Sequence, residues 1–381
     1  MTAAARRLPR VRSASWRWVR TFDWALLAGT LAATGMGVVM IRSATQGPPV
    51  ASSWDDLVLR QVVFATLALG ALALAAMTEH GVLTAFGAWI YVATVAALGL
   101  VLVAGGDSLG SARWFQAGFA NLQPSEPAKV AMIVFLAAYF DRHDVRSFRH
   151  VATSLGLVGL VSLLVLRQPN LSAAVLLGVI WLGVVVAAGI RPLHLSMIAL
   201  GAVPAAAVTL RSGLIEGYML TRVVAWMNPG ADPLRSGFQN IQTLIAVANG
   251  GLMGTGLGGG PSARGGWLVV LHTDNIFALV AEEMGFIGAV VVIGLLVAIV
   301  LRVLRGARLA QDEAGRLLAA GVGTYILAQS AVNIGVVLQL LPVTGVSLPF
   351  ISYGGSSLVT LYAAIGLVEG VLIRRKPLEF T

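Results

Sequence analysis

The feature that most constrains the fold is a series of ten apolar runs, which together take up most of the chain. They cover residues 22-42, 57-78, 82-104, 125-140, 151-166, 171-190, 193-210, 274-301, 317-340 and 350-373. A helix needs about 20 such residues to cross a bilayer, so we expect the shorter fourth and fifth helices to be tilted or sheltered by neighbours. Because backbone polar groups in lipid must be paired, we predict an all-α integral membrane protein of ten transmembrane helices. The whole chain, 1-381, is then a single polytopic membrane domain.

The composition agrees with a membrane location and excludes several kinds of chemistry. Hydrophobic residues make up 57% of the chain and charged residues 11%, with a mean hydropathy of +0.84, whereas soluble domains are about 25% charged. The absence of cysteine excludes disulfides, thiolate metal sites and cysteine nucleophiles. The net charge of +9 lies in short segments between apolar runs. That pattern is typical of membrane orientation, so we predict no nucleic-acid partner.

Basic residues also predict which side of the membrane each connection faces. Most of the 26 Lys and Arg residues fall on one side if both termini are cytoplasmic, as the positive-inside rule requires. Residues 1-21 then form a cytoplasmic basic tail. The first apolar run is longer than the core of a typical signal peptide, so we interpret it as an uncleaved anchor. Segment 211-273, between helices 7 and 8, becomes a large extracytoplasmic loop.

Four polar clusters fall on the predicted outer side, and the first contains a charged pair. It comprises residues 110-115, with Arg113, and residues 123-129. Ser125 suits an N-cap and Glu126 complements the positive start of a helix, so a plain helix start explains both. It does not explain Lys129, which lies on the same face as Glu126 inside an apolar run. Ionisable residues at membrane depth usually mark a functional site, with a purely structural ion pair as the alternative.

The second cluster is the extracytoplasmic loop itself. Apolar residues recur at helical spacing between 241 and 248, with Gln239 and Gln242 on another face. This pattern predicts an amphipathic helix that lies at the interface or folds back into the protein. It either lines a substrate path or merely covers the helix bundle.

A glycine-rich run, residues 250-260, follows the predicted amphipathic helix. It contains a formal G-x-G-x-x-G match, with Asp274 at the distance of a ribose-binding acid. We reject a dinucleotide site because that motif needs a preceding strand and an enclosing βαβ unit. A bend in the chain or a diphosphate-facing nest of backbone amides remains open.

The third cluster, His272 to Asn275, stands at the mouth of an apolar run. Asp or Thr immediately before an apolar helix is typical of a simple N-cap, which is the strongest alternative to a functional role. Glu282 and Glu283, however, continue the polar character about two turns into the run. A carboxylate near lipid can have a raised pKa, which suits a general base at neutral pH. Asp274 is the best candidate for that base.

The fourth cluster, residues 341-357, carries no charge but is rich in hydroxyls, glycine and proline. It includes Tyr353 and Ser356. Irregular backbone at membrane depth is tolerated where it lines a cavity or is buried in protein. Gln329 and Asn333, in the preceding run, add polar groups nearby, which could equally serve as interhelical hydrogen bonds.

These motifs resemble, in order and spacing over nearly the whole chain, those of the SEDS family, the RodA/FtsW/SpoVE group of bacterial cell-wall glycosyltransferases. The segments that match are 110-114, 123-129, 232-242, 272-274, 282-285 and 341-357, the last being particularly specific. The resemblance implies a ten-helix SEDS bundle in the bacterial cytoplasmic membrane. It also implies polymerisation of lipid II, an undecaprenyl-linked precursor, into glycan strands on the outer face.

The resemblance further assigns roles to individual residues. Asp274 matches the family's essential extracytoplasmic aspartate and would act as the general base of an inverting transfer. The polar cavity beside it would contain Arg113, Glu126 and Lys129, with the two cations offsetting charge on the diphosphate leaving group. The other residues expected to bind substrate are Gln239, Gln242, His272, Tyr353 and Ser356.

Partners and cofactors also follow from the resemblance. A class B penicillin-binding protein, which crosslinks the glycan strands, is the expected protein partner, with membrane lipids around the bundle. A divalent cation, Mg²⁺ or Mn²⁺, could share the work on the diphosphate, although the sequence shows no dedicated cage of carboxylates. The metal site is therefore left unassigned.

Two departures from the family pattern and two other functions stay open. Residues 269-271 and Asn275 stand where the family usually has Leu-Pro-Glu and Phe, which removes one candidate metal ligand. Residues 343-345 resemble the elongation branch, whereas 228-233 and Gln239 resemble the division branch. A flippase for lipid-linked precursors is the alternative from another class, although no internal repeat supports it. A catalytically degenerate scaffold for a penicillin-binding protein is the other.

Overall fold

A computed structural model describes residues 21-45, 55-104, 106-108, 111-117, 120-211, 217-232, 237-265 and 271-374. Its helices are α1 (Trp24–Ala44), α2 (Asp55–Met77), α3 (His80–Ala85), α4 (Gly87–Ala104), α5 (Ser125–Arg142), α6 (Phe148–Arg167), α7 (Leu171–Ala188), α8 (Pro192–Arg211), α9 (Gly217–Met227), α10 (Phe238–Asn249), α11 (Pro261–Gly265), α12 (Ile276–Leu309), α13 (Glu313–Val337) and α14 (Gly355–Ile373). A short 3-10 turn, Pro229–Ala231, joins α9 to the segment before α10.

The predicted helical membrane fold is confirmed. Each of the ten apolar runs coincides with a helix, except that the third is interrupted at Phe86 and forms α3 and α4. Among the described residues, seven helices are long and apolar enough to cross a membrane: α1, α2, α6, α7, α12, α13 and α14. The full count of ten crossings stays a prediction.

The fold also includes a small sheet that the sequence analysis did not predict. Strands β1 (Gly106–Ser108), β2 (Ser111–Ala117) and β3 (Ala120–Leu122) pair antiparallel in the order β1-β2-β3. Gly106 pairs with Trp114, and Phe115 pairs with Leu122. Arg113 therefore lies on the central strand, just before α5. Its side chain is outside the described part of the structure.

Local chemistry fixes several helix ends. The Asp23 carboxylate accepts a hydrogen bond from Leu26 N at 3.1 Å and so caps α1. Asn170 caps α7 through a 3.2 Å bond from Ala173 N. The predicted cap of α5 is wrong, because Pro124 occupies the N-cap position and Ser125 is already the first helical residue. Side-chain caps of this kind satisfy backbone N–H groups that a helix leaves without partners.

Helices α13 and α14 form the centre of the bundle. Most of their residues are buried, whereas most of α2 faces outward. Small residues allow close approach of the backbones, as is usual between membrane helices. A Cβ at Gly183 would lie 2.3 Å from the Thr324 hydroxyl, where α7 crosses α13, and one at Gly366 would lie 2.3 Å from the Leu72 carbonyl of α2.

Helix α12 is broken at Gly285, whose backbone angles are φ 66° and ψ −164°. The break removes the bonds that Phe286 and Ile287 N–H would make to the carbonyls four residues earlier. The glycine-rich run, residues 250-260, lies against the break, and we call it the glycine loop. It supplies both the donors and the acceptors that the broken helix lacks.

Four backbone hydrogen bonds join the glycine loop to the broken helix. They are Phe286 N to Gly251 O (2.9 Å), Ile287 N to Leu252 O (3.3 Å), Thr255 N to Glu282 O (2.9 Å) and Gly256 N to Glu283 O (3.0 Å). Glycine is required at Gly254, because φ is +81° and a Cβ would lie 2.1 Å from the Glu283 carbonyl. The run therefore forms the bend that the sequence analysis left open. The glycine loop contributes no residue to the described lining of the cavity presented below.

Candidate active site

The four predicted polar clusters meet at one cavity of about 420 Å³. Its lining includes Gln123, Glu126 and Lys129 from the first cluster, Arg222 and Val223 from the second, Thr273 and Asp274 from the third, Gln329 from α13, and residues 342-347 and 353-357 from the fourth. Residues 169-173 and Leu176, in the first part of α7 and just before it, complete the lining. Segments that are far apart in the sequence thus place carboxylates, cations and hydroxyls around one space.

Asp274 lines this cavity and does not cap the helix that follows it. Helix α12 begins at Ile276, and its N-cap residue is Asn275, whose side chain makes no capping hydrogen bond. The Asp274 carbonyl accepts a 2.8 Å bond from the Asn333 amide, which also donates to the Val346 carbonyl at 2.7 Å. Asn333 thereby fixes the Asp274 backbone against the fourth cluster. The simple N-cap explanation of Asp274 does not hold.

Neighbouring residues hold the same segment in place. The Ser352 hydroxyl donates to the Thr273 carbonyl at 2.6 Å, and Tyr353 N donates to the His272 carbonyl at 2.9 Å. Gly345, with φ +73°, lies so near that a Cβ there would be 3.5 Å from an Asp274 carboxylate oxygen. These bonds fix the backbone around Asp274, whose carboxylate lines the cavity.

Two opposing effects set the charge state of Asp274. Burial raises the pKa of its carboxyl group, while the nearby Arg222 guanidinium and a hydrogen bond from Thr273 lower it. The net effect is a raised pKa, the direction expected for a carboxylate removed from water. Sequence reasoning missed Arg222, which lies on α9, within segment 211-273.

The predicted pair of Glu126 and Lys129 is present in the wall of the cavity. Lys129 Nζ lies 2.8 Å from Glu126 Oε1, with the lysine side chain 2% exposed and the glutamate 13%. The ammonium also donates to Gln329 Oε1 at 3.3 Å and lies 4.9 Å from the centre of the Tyr325 ring. A buried ammonium is thus surrounded by a carboxylate, an amide and an aromatic face, all of which attract a cation.

Hydroxyls and backbone groups of the fourth cluster form the opposite wall. The Gln329 amide donates to the Ser347 carbonyl at 3.0 Å, which ties this wall to the Lys129 pair. Ser356, predicted to bind substrate, lines the cavity and accepts a 3.2 Å bond from Gln123 N. On the α7 side, the Ser172 hydroxyl bonds to the Thr344 carbonyl. The wall carries no charge of its own.

The remaining predicted residues lie at different distances from the cavity. Tyr353 lines it, and His272 packs edge-on against the Tyr353 ring with 5.6 Å between centroids. Burial lowers the pKa of His272 and raises that of Tyr353, so both favour their neutral forms. Gln239 and Gln242 lie on α10 and are not among the described lining residues.

Glu282 and Glu283 lie elsewhere. Both are buried, and both contact the glycine loop region rather than the cavity. In sequence they continue the polar character of the third cluster into the apolar run. They lie in α12 just before its break at Gly285, where they accept hydrogen bonds from Gly258 N and Ser262 N.

Metal binding has limited support from the described side chains. No group of three or more His, Asp or Glu side chains in the described residues is arranged to hold an ion. The carboxylates of the described lining are Asp274 and Glu126, and Glu126 is bonded to Lys129. Because hard cations need about six oxygen ligands, a divalent ion here would take most of them from substrate or water.

Comparison with known proteins identifies the family. A family model described as "Cell cycle protein" and named for FtsW, RodA and SpoVE matches residues 24–376. The chain belongs to this family. Two relatives from the FtsW/RodA/SpoVE family match nearly the whole chain. A Geobacter sulfurreducens protein named "Probable peptidoglycan glycosyltransferase FtsW" is 34% identical over 94% of this chain and 97% of its own length. A protein of the same name from Thioalkalivibrio sulfidiphilus is 36% identical, over 92% and 90%.

Solved structures of the FtsW/RodA/SpoVE family share the fold. One chain of a peptidoglycan synthase complex, described as coordinating polymerization and crosslinking, superposes with a TM-score of 0.77 at 30% identity. That match covers 92% of this chain and 97% of the other. The crystal structure of Thermus thermophilus rod shape determining protein RodA gives a TM-score of 0.67 at 27% identity, over 97% and 100%.

Proposed function

We propose that this protein is a peptidoglycan glycosyltransferase that polymerises lipid II during cell elongation or division. The observation that carries the proposal is Asp274, a carboxylate with a raised pKa that lines the cavity instead of capping its helix. Cations at Arg222 and Lys129 line the same cavity, which suits a substrate with a diphosphate group. Relatives with the name peptidoglycan glycosyltransferase match over nearly the whole chain.

The proposed reaction is a direct displacement with inversion. The acceptor's 4-hydroxyl loses its proton to Asp274 as its oxygen bonds to the donor's anomeric carbon. The bond from that carbon to the diphosphate oxygen breaks, and the polyprenyl diphosphate leaves with the electron pair. Arg222 binds the diphosphate of the donor before and during the displacement, and buried Lys129 offsets the charge that develops on the leaving group, because fixed cations stabilise such charge more in a partly desolvated site. Arg113 would join them by its match to the family motif.

Other cavity groups would bind and orient the sugars. Tyr353 and Ser356 offer hydroxyls on the uncharged wall, which suits hydrogen bonds to sugar hydroxyls. A bound Mg²⁺ or Mn²⁺ would supply further positive charge to the diphosphate. Asp274 and Glu126 are the described carboxylates that could contribute to holding it. Gln239 and Gln242 keep a proposed role only for substrate that extends beyond the cavity.

The orientation and the partner are parts of the same proposal. Both termini would be cytoplasmic, and the cavity would open at the outer face of the bacterial cytoplasmic membrane. A class B penicillin-binding protein would crosslink the product. A solved peptidoglycan synthase complex contains a chain of the same fold, which supports a partnership of this kind.

The test compares wild type with Asp274→Asn in a lipid II polymerisation assay, with glycan length measured on gels. Asparagine has nearly the volume of aspartate but cannot accept the proton, so the variant is expected to fold and to make no polymer. Asn275→Ala is the matched control, since Asn275 occupies the N-cap position without a side-chain cap. Polymer formation by Asp274→Asn at the wild-type rate would remove Asp274 as the base.

The same assay distinguishes the other candidate functions. Wild type that makes no polymer even with its partner present would indicate a scaffold. A flippase would instead move labelled lipid II across vesicles without elongating it. Transporters often have paired broken helices in corresponding halves, whereas the only spanning helix with an internal break in the described residues is α12. This observation favours the enzyme.

A further inference from the structure

Two buried acids on α12 have no role in the proposed reaction. Glu282 is 0% exposed and Glu283 is 2% exposed, and neither lines the cavity. Burying a carboxylate is costly unless hydrogen bonds or charges compensate it. What compensates these two groups indicates what they do.

Glu283 joins three separate parts of the chain. The Ser43 hydroxyl, on α1, lies 2.6 and 2.7 Å from the two Glu283 oxygens. Gly258 N, in the glycine loop, donates to Glu283 Oε1 at 3.1 Å and to the Ser43 hydroxyl at 2.9 Å. We call Ser43, Gly258 and Glu283 the anchor. It ties the end of α1 and the glycine loop to α12.

Glu282 strengthens the same attachment through the end of the glycine loop. Its carboxylate accepts from Ser262 N at 3.4 Å, just beyond the glycine loop. Gly260 packs so closely that a Cβ there would lie 2.6 Å from a Glu282 oxygen. Together with the four backbone bonds at the break, these contacts fix the chain that follows α10.

The unit formed by α9 and α10 carries Arg222 to the cavity. The Asn240 amide on α10 donates to the Ala225 carbonyl on α9 at 3.1 Å. The Trp226 indole donates to the Gln339 carbonyl at 2.8 Å, and the Gln339 amide donates to the Asn240 carbonyl at 3.3 Å. Because α9 and α10 are bonded to each other, a shift of the glycine loop that moves α10 would also move Arg222.

We propose that Glu283, through the anchor, is a positioning residue that holds the α9–α10 unit so that Arg222 stands over the cavity beside Asp274. The proposal rests on the proposed function, since Arg222 is assigned there to the diphosphate. Asp274 has its own attachments to Asn333 and Ser352. Losing the anchor therefore displaces the cation while the base stays in place.

The kinetic test uses Ser43→Ala and Glu283→Ala, with Val290→Ala, on the lipid-facing side of α12, as the matched control. Ser43→Ala removes one hydroxyl and is the milder change if Glu283→Ala folds poorly. Each anchor variant is expected to raise KM for lipid II about tenfold with a smaller change in kcat, and the same change is expected of Arg222→Gln. Glu283→Gln keeps an oxygen for Gly258 N and is expected to restore most of the loss. An anchor variant that lowers kcat alone overturns the proposal.

A double variant shows whether Glu283 acts through Arg222. If it does, adding Glu283→Ala to Arg222→Gln costs little more than Arg222→Gln alone, because the cation to be positioned is already absent. Independent effects would multiply instead. Multiplied losses would therefore reject the proposal even where each single variant behaves as expected.

The pH dependence of kcat/KM is the next test, because a merely structural role of the anchor would leave it unchanged. Arg222 lowers the pKa of Asp274, so its displacement should move the acid limb of kcat/KM to higher pH. Among the described residues, the other charged or titratable groups at or next to the cavity are Glu126 and Lys129 on α5, His272 and Tyr353 next to Asp274, and Arg60, which acts on Tyr353. They stay in place in the anchor variants. An acid limb that moves in Arg222→Gln but not in Ser43→Ala contradicts the proposal.

A crosslinking experiment reads the position of residue 222 without any enzyme assay. The guanidinium of Arg222 lies 3.4 Å from the Val343 carbonyl, and the chain has no native cysteine. The pair Arg222→Cys and Val343→Cys is expected to react readily with a short bis-maleimide, and several-fold more slowly once Ser43→Ala is added. An unchanged rate would refute the anchor. Inactive wild type with an anchor-dependent rate would refute only the proposed reaction.

Discussion

At the scale of single residues, the cavity combines a carboxylate that burial makes harder to ionise with a cation that makes it easier. The pKa of Asp274 is raised, with Arg222 and Thr273 working against the rise. A base needs a pKa close to the working pH so that it is ionised yet still accepts a proton. The pKa of Asp274, and with it its strength as a base, therefore depends on the balance between desolvation, which raises the pKa, and the charge of Arg222, which lowers it.

The first prediction concerns the pH dependence of the reaction. Asp274 must be ionised to accept a proton, and its pKa lies above the ordinary value of 3.8. We expect kcat/KM to fall about tenfold per pH unit below that raised pKa and to level off above it. Steady-state polymerisation over a pH series measures the limb. A rate that stays constant down to pH 3.8, in protein that remains folded, would exclude this carboxylate as the base.

The second prediction concerns the buried pair. Lys129→Met leaves Glu126 beside an apolar side chain and is expected to destabilise the protein by about 3 kcal/mol. Adding Glu126→Gln removes the unpaired charge and should recover more than half of the loss. Thermal unfolding in detergent measures both variants. If the two losses simply add, the 2.8 Å contact contributes no coupling.

At the scale of elements, periodicity and length predicted the helices because each apolar run must satisfy its own backbone in lipid. The same rule could not predict the break at Gly285, since the bonds lost there are replaced by the glycine loop, more than 20 residues earlier in the chain. The short sheet before α5 was also missed. Its strands are only three to seven residues long, too short for an alternating pattern to stand out.

The third prediction separates glycines that the break requires from one that it does not. Gly254→Ala places a Cβ 2.1 Å from the Glu283 carbonyl at a φ of +81°, and we expect a loss of at least about 2 kcal/mol. Gly294→Ala, in helix α12 with nothing within 4 Å of the added Cβ, should be neutral or stabilise by up to about 1 kcal/mol. Unfolding midpoints in detergent compare them. Equal effects would show that the loop does not depend on this backbone conformation.

At the scale of the whole molecule, the cavity forms because four clusters that are remote in sequence reach one place. Sequence reasoning found Asp274, Glu126, Lys129 and the fourth cluster, since charges and broken backbone stand out against an apolar background. It missed Arg222, because one arginine in a long polar loop has no such background. Glu282 and Glu283 also stand out as charges in an apolar run, but only the three-dimensional path of the chain shows that they contact the glycine loop region and not the cavity.

The fourth prediction concerns orientation in the membrane. Met253, at 78% exposure in the glycine loop, should lie outside the cell, and the exposed Arg146, between α5 and α6, should lie inside. In this cysteine-free chain, Met253→Cys should react with an impermeant maleimide in intact cells. Arg146→Cys should react only after permeabilisation. The reverse pattern would invert the predicted topology.

Arg222 and Asp274, two charged residues of the cavity lining, differ in exposure, and ionic strength should separate their roles. Arg222 is exposed while Asp274 is partly buried, and dissolved salt screens exposed charges over about 10 Å at 0.1 M. Added salt should therefore weaken capture of the diphosphate, so KM rises. It should leave kcat at saturating substrate nearly constant, because Asp274, which accepts the proton, is partly buried and is screened less by the salt. A simple salt titration then distinguishes how tightly the donor is held from how fast the sugar is transferred.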